Sequence, residues 1–259
     1  MELISRISKG TLMDQVYLPK IRPPWFAIGD YVALRPVAEA KEIKPYFYNV
    51  SNLEPIKSMI TQDILAEFEH AENVIITGSF LDKGMDFNDI DIIAIVNQPF
   101  SIAKIEESLK KKWGITPHIM SMSYKTLLKG LSTDPLFQVM LSRFAAKKRL
   151  IFKIKKEMNY KLLDLHLLKG RLLIDTFEEL PGREKYKLLR NTIAIKLFIE
   201  DKTITSATID KAIENTLSIK VNMLKENLMQ KEPFLQKYKK LHNGLFNKIM
   251  EGIKHSQQK

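Results

Sequence analysis

The spacing of apolar residues along the chain predicts two regions of different architecture. Between residues 53 and 156, short apolar runs alternate with segments of helical period, which indicates a sheet with helices packed on it. After residue 156, leucine and isoleucine recur at helical spacing in about four successive segments, which predicts a bundle. We therefore predict an α+β protein, in which a small mixed sheet with flanking helices is followed by an α-helical bundle.

The individual elements follow from this spacing and from the turn residues between the apolar runs. The apolar runs on either side of Gly29-Asp30 predict an N-terminal β-hairpin. Helices are predicted at 53–70, 102–113, 124–130 and 135–144, and strands at 74–77, 90–96, 115–122 and 149–154. The predicted organisation is an extension with a hairpin, a sheet domain and a helical domain, at 1–50, 51–155 and 156–259.

The composition narrows the class of protein. The 259 residues include no cysteine, so disulfide bonds and thiolate metal sites are excluded. The first residues lack the basic, apolar and small-residue succession of a signal peptide, and no apolar run approaches the roughly 20 residues that span a bilayer. We therefore expect a soluble, cytoplasmic protein with no membrane partner.

The chain carries a net charge of +11, from 41 lysines and arginines against 30 aspartates and glutamates. Such an excess favours a polyanionic partner such as RNA or a nucleotide, and it is equally compatible with a solvated surface. The acids gather at 82–91, whereas lysines are frequent at 110–112, 147–156 and 237–240. An acidic centre in a basic chain is expected of an enzyme that binds phosphates through metal ions.

Two aspartates interrupt an apolar strand in the sheet region. Asp89 and Asp91 flank Ile90, and because side chains alternate across a strand, both carboxylates point to the same face. Neighbouring carboxylates repel each other, and a divalent cation such as Mg²⁺ or Mn²⁺ relieves the repulsion through oxygen ligands. We predict a metal site at this pair. The alternative is a surface turn followed by two solvated acids on an edge strand.

A glycine and a serine precede this pair, directly after the apolar run 74–77. A glycine at that place lets the backbone approach a phosphate closely, and exposed amides together with the Ser79 hydroxyl can hold it. We predict that Gly78 and Ser79 bind the phosphates of a nucleotide. Lys83 in the following loop is a further candidate for this contact, or else a solvated loop lysine. The loop lacks Gly-Lys-Ser/Thr, which excludes a Walker-type site.

The stretch "TGSFLDKGMDFNDIDIIAIV", residues 77–96, resembles the signature of the DNA polymerase β-like nucleotidyltransferases, especially their minimal branch. Gly78-Ser79 match the Gly-Ser that follows the first strand, and Asp89-Ile90-Asp91 match the Asp-apolar-Asp of the next strand. The resemblance covers roughly residues 53–155 and implies a small mixed sheet with helices on one side. It also implies two-metal transfer of a nucleotidyl group, with both aspartates as metal ligands and catalytic residues.

The chain departs from the family pattern on the following strand, where His118 stands at the place of the family's third carboxylate. Three interpretations stay open. His118 acts as a catalytic ligand or base, another acid such as Asp86 or Asp134 supplies the third oxygen, or the protein binds a nucleotide and does little chemistry. Histidine is a better ligand for Mn²⁺ or Zn²⁺ than for Mg²⁺.

The expected function follows from these residues and from the resemblance. We expect a metal-dependent nucleotidyltransferase that passes a nucleoside monophosphate from a nucleoside triphosphate to a hydroxyl of RNA, a protein or a small molecule. One alternative is a catalytically weak or inactive nucleotide- or RNA-binding protein on the same fold. The other is an interaction protein of the toxin–antitoxin type.

Overall fold

The computed structural model describes most of the chain, in two compact units formed by residues 1–42 and 43–259. The residues that it describes are 7–8, 10–18, 20, 22, 26–32, 43–51, 53–85, 87–98, 101–151 and 154–257.

The first unit contains a short hairpin, at a different place from the predicted one. Its strands β1 (Ile7–Ser8) and β2 (Gln15–Val16) pair antiparallel. At Gly29, which has φ +98°, the described residues form a turn without strands on either side. The Asp30 side chain accepts the Ala27 amide at 2.8 Å, and the Asp30 amide donates to the Ala27 carbonyl at 3.4 Å, so two local hydrogen bonds close this turn.

The second unit is built on a five-stranded mixed sheet. Its strands in chain order are β3 (Tyr46–Tyr48), β4 (Asn73–Thr77), β5 (Asp89–Ile95), β6 (Thr116–Met122) and β7 (Phe144–Ala146). Across the sheet the order is β3-β7-β4-β5-β6, where β5 and β6 are parallel and the other neighbours antiparallel. Because β5 lies between two strands, its aspartates are not on an edge strand.

Two of these strands correct the sequence prediction. β3 lies in the segment assigned to the N-terminal extension, and β7 lies at the end of the helix predicted for 135–144. The described residues of 149–154 form no strand, although "RLIFKI" predicted one. β7 is only three residues long and buried throughout, so it has no alternation of apolar and polar positions by which to recognise it.

The helices of the second unit follow the predicted order. They are α1 (Pro55–Glu67), α2 (Ile102–Trp113), α3 (Tyr124–Thr133), α4 (Pro135–Met140), α5 (Tyr160–Asp175), α6 (Gly182–Ile199), α7 (Ser206–Leu217), α8 (Val221–Lys225) and α9 (Lys231–Gln257). The α+β class and the C-terminal helical bundle are thereby confirmed. No described helix has both the length and the apolar character that a membrane span requires.

Helices pack on both faces of the sheet. Ile60 of α1 and Leu109 of α2 share one apolar cluster with Ile92 of β5. Leu127 of α3 shares a second cluster with Ile93, the next residue of the same strand. The implied arrangement with helices on one side only is therefore wrong. Since β5 is apolar on both faces, each face needs a cover that excludes water.

The bundle has its own apolar core, and α4 connects it to the sheet. Val139 of α4 belongs to the buried cluster of the bundle, which also includes Leu163 of α5 and Ile193 of α6. Phe137 of the same helix packs instead against the cluster beneath α3. The sheet and the bundle therefore form one compact unit, in which α4 contacts both α3 and α6.

Candidate active site

Strand pairing brings the predicted site residues to one end of the sheet. Thr77, the last residue of β4, lies opposite Asp91 of β5, and Asp91 lies beside His118 of β6. Asp89 begins β5, two residues before Asp91. The aspartates and the histidine are thus neighbours at the point where Gly78 leads the chain out of the sheet.

Gly78 has a backbone conformation that is accessible essentially to glycine alone, with φ +86° and ψ −163°. A Cβ atom on this residue would lie 2.4 Å from Oδ2 of Asp91, so the Gly78 backbone packs against the carboxylate. A 3₁₀ turn follows, in which Phe80 is fully buried and Ser79 is exposed. The turn is therefore anchored by Phe80 and presents Ser79 next to the carboxylate.

His118 contacts Asp91 directly. Its Nδ1 lies 3.2 Å from Oδ1 of Asp91, so a protonated Nδ1 donates to the carboxylate. The side chain of His118 is 66% exposed and that of Asp91 34% exposed, so both are open to a ligand from solvent. An imidazole at this place can hold or accept a proton beside the carboxylate.

The carboxylates at this end of the sheet suit a cation that takes its remaining ligands from a substrate and from water. Asp89 is exposed, and its side chain has no hydrogen bond or ion pair with any described residue. Within the described ranges, no three His, Asp or Glu side chains are grouped as metal ligands. Mg²⁺ is commonly held by one or two carboxylates together with substrate phosphates and water. Asp89 and Asp91 fit that arrangement.

The loop between the turn and β5 is fixed to α1 by a buried lysine. Lys57 is fully buried; its Nζ donates to the carbonyl of Asp82 at 2.6 Å and lies 3.4 Å from Oε2 of Glu54. Oε1 of Glu54 accepts the Gly84 amide at 2.6 Å, and this hydrogen bond keeps the pKa of Glu54 below its usual value. Lys83 is exposed between these anchors, and no described contact ties it to the aspartates.

Asp134, one of the acids proposed as the missing third ligand, is already engaged by other groups. Its Oδ1 accepts the Leu136 amide at 2.8 Å, which caps α4, and lies 3.1 Å from Nε2 of His166 on α5. Burial raises the pKa of Asp134. The His166 side chain and the amides at the start of α4 lower it by a larger amount together, so the net pKa is below its usual value. The other proposed acid, Asp86, lies outside the described residues.

Arg143 is the residue at this site that sequence reasoning missed. It lies just before β7, with Nη1 2.7 Å from Oδ1 of Asp82 and Nη2 donating to the carbonyl of Gly78 at 3.4 Å. The sequence prediction assigned this segment to a helix, so no local signal indicated the contact. Its position depends on the pairing of β7 with β4, which joins segments about 70 residues apart.

No family model matches the chain, and no curated protein matches it significantly. Function is therefore inferred from the geometry of this site and from the sequence resemblance.

Proposed function

We propose that the protein is a metal-dependent nucleotidyltransferase, which transfers a nucleoside monophosphate from a nucleoside triphosphate to a hydroxyl group. The observation that carries this proposal is the packing of the Gly78 backbone against Asp91. It places an exposed Gly-Ser turn, suited to phosphate, next to a carboxylate pair suited to a divalent cation. Each feature is common by itself, and their contact is what a nucleotide bound through a metal ion requires.

Two pairs of residues have separate roles in the proposed reaction, one at the cation and one at the triphosphate. Asp89 and Asp91 would hold Mg²⁺ or Mn²⁺. The bound cation would neutralise negative charge on the phosphates. Gly78 and Ser79 would orient the triphosphate, since the turn lies beside the carboxylates. The acceptor oxygen forms a bond to the α-phosphorus, the bond to the β-phosphate oxygen breaks, and pyrophosphate leaves with the electron pair.

His118 is the proposed acceptor of the proton that the attacking hydroxyl releases. Its imidazole is exposed and stands beside Asp91, so it is within reach of a group that approaches the carboxylate pair. The proton would then pass from the imidazole to water. An imidazole nitrogen is also a better ligand for Mn²⁺ than for Mg²⁺, so we propose that His118 contacts the cation as well and that Mn²⁺ supports the reaction better than Mg²⁺.

A second candidate is supported by the same residue. Because His118 stands at the place of an acid, the described residues of the site offer a cation two carboxylates, Asp89 and Asp91. A nucleotide-binding protein with little transfer activity would have the same donor set. The two candidates differ in one measurable property, which is the release of pyrophosphate.

The test is a transfer assay with each nucleoside triphosphate labelled on the α-phosphate. The purified chain is incubated with RNA and protein acceptors in the presence of Mg²⁺, Mn²⁺ or a chelator. We expect metal-dependent label on one acceptor class and stoichiometric pyrophosphate. Nucleotide binding without labelled acceptor or pyrophosphate release would favour the second candidate. The absence of both nucleotide binding and transfer would refute both candidates.

A further inference from the structure

Arg143 lies across the turn to which we assign the phosphates. Its guanidinium contacts both ends of the turn, the carbonyl of Gly78 through Nη2 and the carboxylate of Asp82 through Nη1. The Arg143 side chain is 31% exposed and that of Asp82 is 57% exposed. The ion pair is therefore accessible from solvent, on the same turn that carries Ser79.

The backbone of Arg143 is held in place by the sheet. Ile76 of β4 lies opposite Ala145 of β7, so the residues just before β7 arrive at the end of β4. Thr77 is buried, and its hydroxyl lies 3.4 Å from the carbonyl of Arg143 and donates to the carbonyl of Met140. The guanidinium is thus carried by a fixed part of the fold, whereas its partner Asp82 belongs to a loop.

The negative charge of Asp82 also acts on a second arginine. Burial lowers the pKa of Arg190 on α6, and Tyr186, Asp210, Asp82 and Glu184 act in the opposite direction. Tyr186 donates to Asp210 at 2.7 Å, so that carboxylate is already engaged. Asp82 is therefore one of several acids whose charge acts on Arg190, whereas it pairs directly with Arg143.

We propose that Arg143 binds the phosphates of the nucleoside triphosphate, and that Asp82 occupies the guanidinium until the nucleotide displaces it. This inference rests on the proposed function, since it assumes the same phosphate position. The planar guanidinium fits phosphate oxygens with two parallel hydrogen bonds. A triphosphate carries several negative charges against one on Asp82, so it competes well for the arginine. The acid then acts as an internal competitor that weakens nucleotide binding.

The test is the affinity of the chain for inorganic tripolyphosphate and for ATP, measured by calorimetry without metal at constant ionic strength. We expect Arg143→Gln to weaken tripolyphosphate binding about tenfold or more, and Asp82→Asn to strengthen it several-fold. The matched control is the exposed ion pair of Arg171 and Asp175 on α5, in which Nε of Arg171 lies 3.4 Å from Oδ2 of Asp175. Arg171→Gln and Asp175→Asn should leave the affinity unchanged.

A purely structural pair gives a different result. If Arg143 and Asp82 only hold the turn together, both variants loosen it and shift the affinity in the same direction. Opposite shifts cannot come from partial unfolding, so they would support phosphate binding by Arg143. Shifts of the same sign, or no binding of tripolyphosphate to the native chain, would overturn the inference.

The outcome also separates this inference from the proposed function. Tripolyphosphate binding that depends on Arg143, without nucleotide transfer in the labelling assay, would support the phosphate site and refute the transferase. Transfer by the native chain, together with unchanged affinity in Arg143→Gln, would support the transferase and refute the role of Arg143.

Discussion

Replacing Gly78 with alanine tests the contact on which the candidate site depends. The φ and ψ of this residue lie in a region that costs other residues about 1–3 kcal/mol. The new Cβ would also stand 2.4 Å from Oδ2 of Asp91, so the carboxylate has to leave its rotamer at a cost of about 0.5–1.5 kcal/mol. We expect Gly78→Ala to lower the free energy of unfolding by about 1.5–4.5 kcal/mol in all.

Gly84 provides the matched control for this substitution. It also has positive φ, +83°, but an added Cβ would meet no heavy atom within 4 Å. Gly84→Ala should therefore cost only backbone strain, roughly 1–2 kcal/mol, and should leave Asp91 in place. Urea denaturation of both variants measures the stability, and titration with Mn²⁺ in the presence of ATP measures the cation site. We expect Gly78→Ala to weaken Mn²⁺ binding about 10- to 100-fold and Gly84→Ala to leave it unchanged.

Two results would refute this reasoning. Equal unfolding free energies for the two variants, together with unchanged Mn²⁺ affinity in both, would mean that a Cβ at residue 78 does not displace the Asp91 carboxylate. A larger loss of stability in Gly78→Ala with unchanged Mn²⁺ affinity would mean that the contact is real and that Asp91 does not hold the cation.

Substitutions at three further residues test other contacts. Lys57→Met removes the buried partner of Glu54 and of the Asp82 carbonyl, so urea denaturation should show a loss of about 2–3 kcal/mol; an unchanged midpoint would contradict the anchor. The stability from the lowered pKa of Asp134 is present above the usual value of 3.8 and fades as the pH falls through the folded value. Acid-unfolding curves of Asp134→Asn should lack this dependence. In the labelling assay, His118→Ala should lower transfer and remove the preference for Mn²⁺, and His118→Asp should raise Mg²⁺-dependent transfer. Equal Mg²⁺-dependent activity in the native chain and both variants would exclude a role for His118.

Local signals were sufficient for most of the helices and for the carboxylate pair. Gly114 ends α2 with φ +66°, and the Ser123 side chain accepts the amide of Thr126 at the start of α3; glycine and serine are common residues at these helix ends. The alternation rule predicted that Asp89 and Asp91 would share a face. These features depend on interactions within a few residues, which a single sequence contains.

The parts that sequence reasoning missed depend on distant contacts. Arg143 reaches Gly78 only because β7 pairs with β4, and the three residues of β7 have no periodic pattern. No local signal distinguished Lys57 within the helix predicted for 53–70, yet this lysine is buried and donates to the carbonyl of Asp82 in the following loop. In both cases a charged side chain finds its partner through tertiary structure, so the residue type alone predicts solvent exposure.

The central claim is that the aspartate pair supports metal-dependent nucleotidyl transfer. The most direct measurement compares α-phosphate label transfer by the native chain and by the double variant Asp89→Asn with Asp91→Asn. The control changes the charge equally, with Asp175→Asn and Glu179→Gln on exposed sites of the bundle region. We predict metal-dependent transfer by the native and control chains, and none by a folded double variant. Equal transfer by all three chains, or no transfer by the native chain with any nucleotide and metal, would contradict the claim.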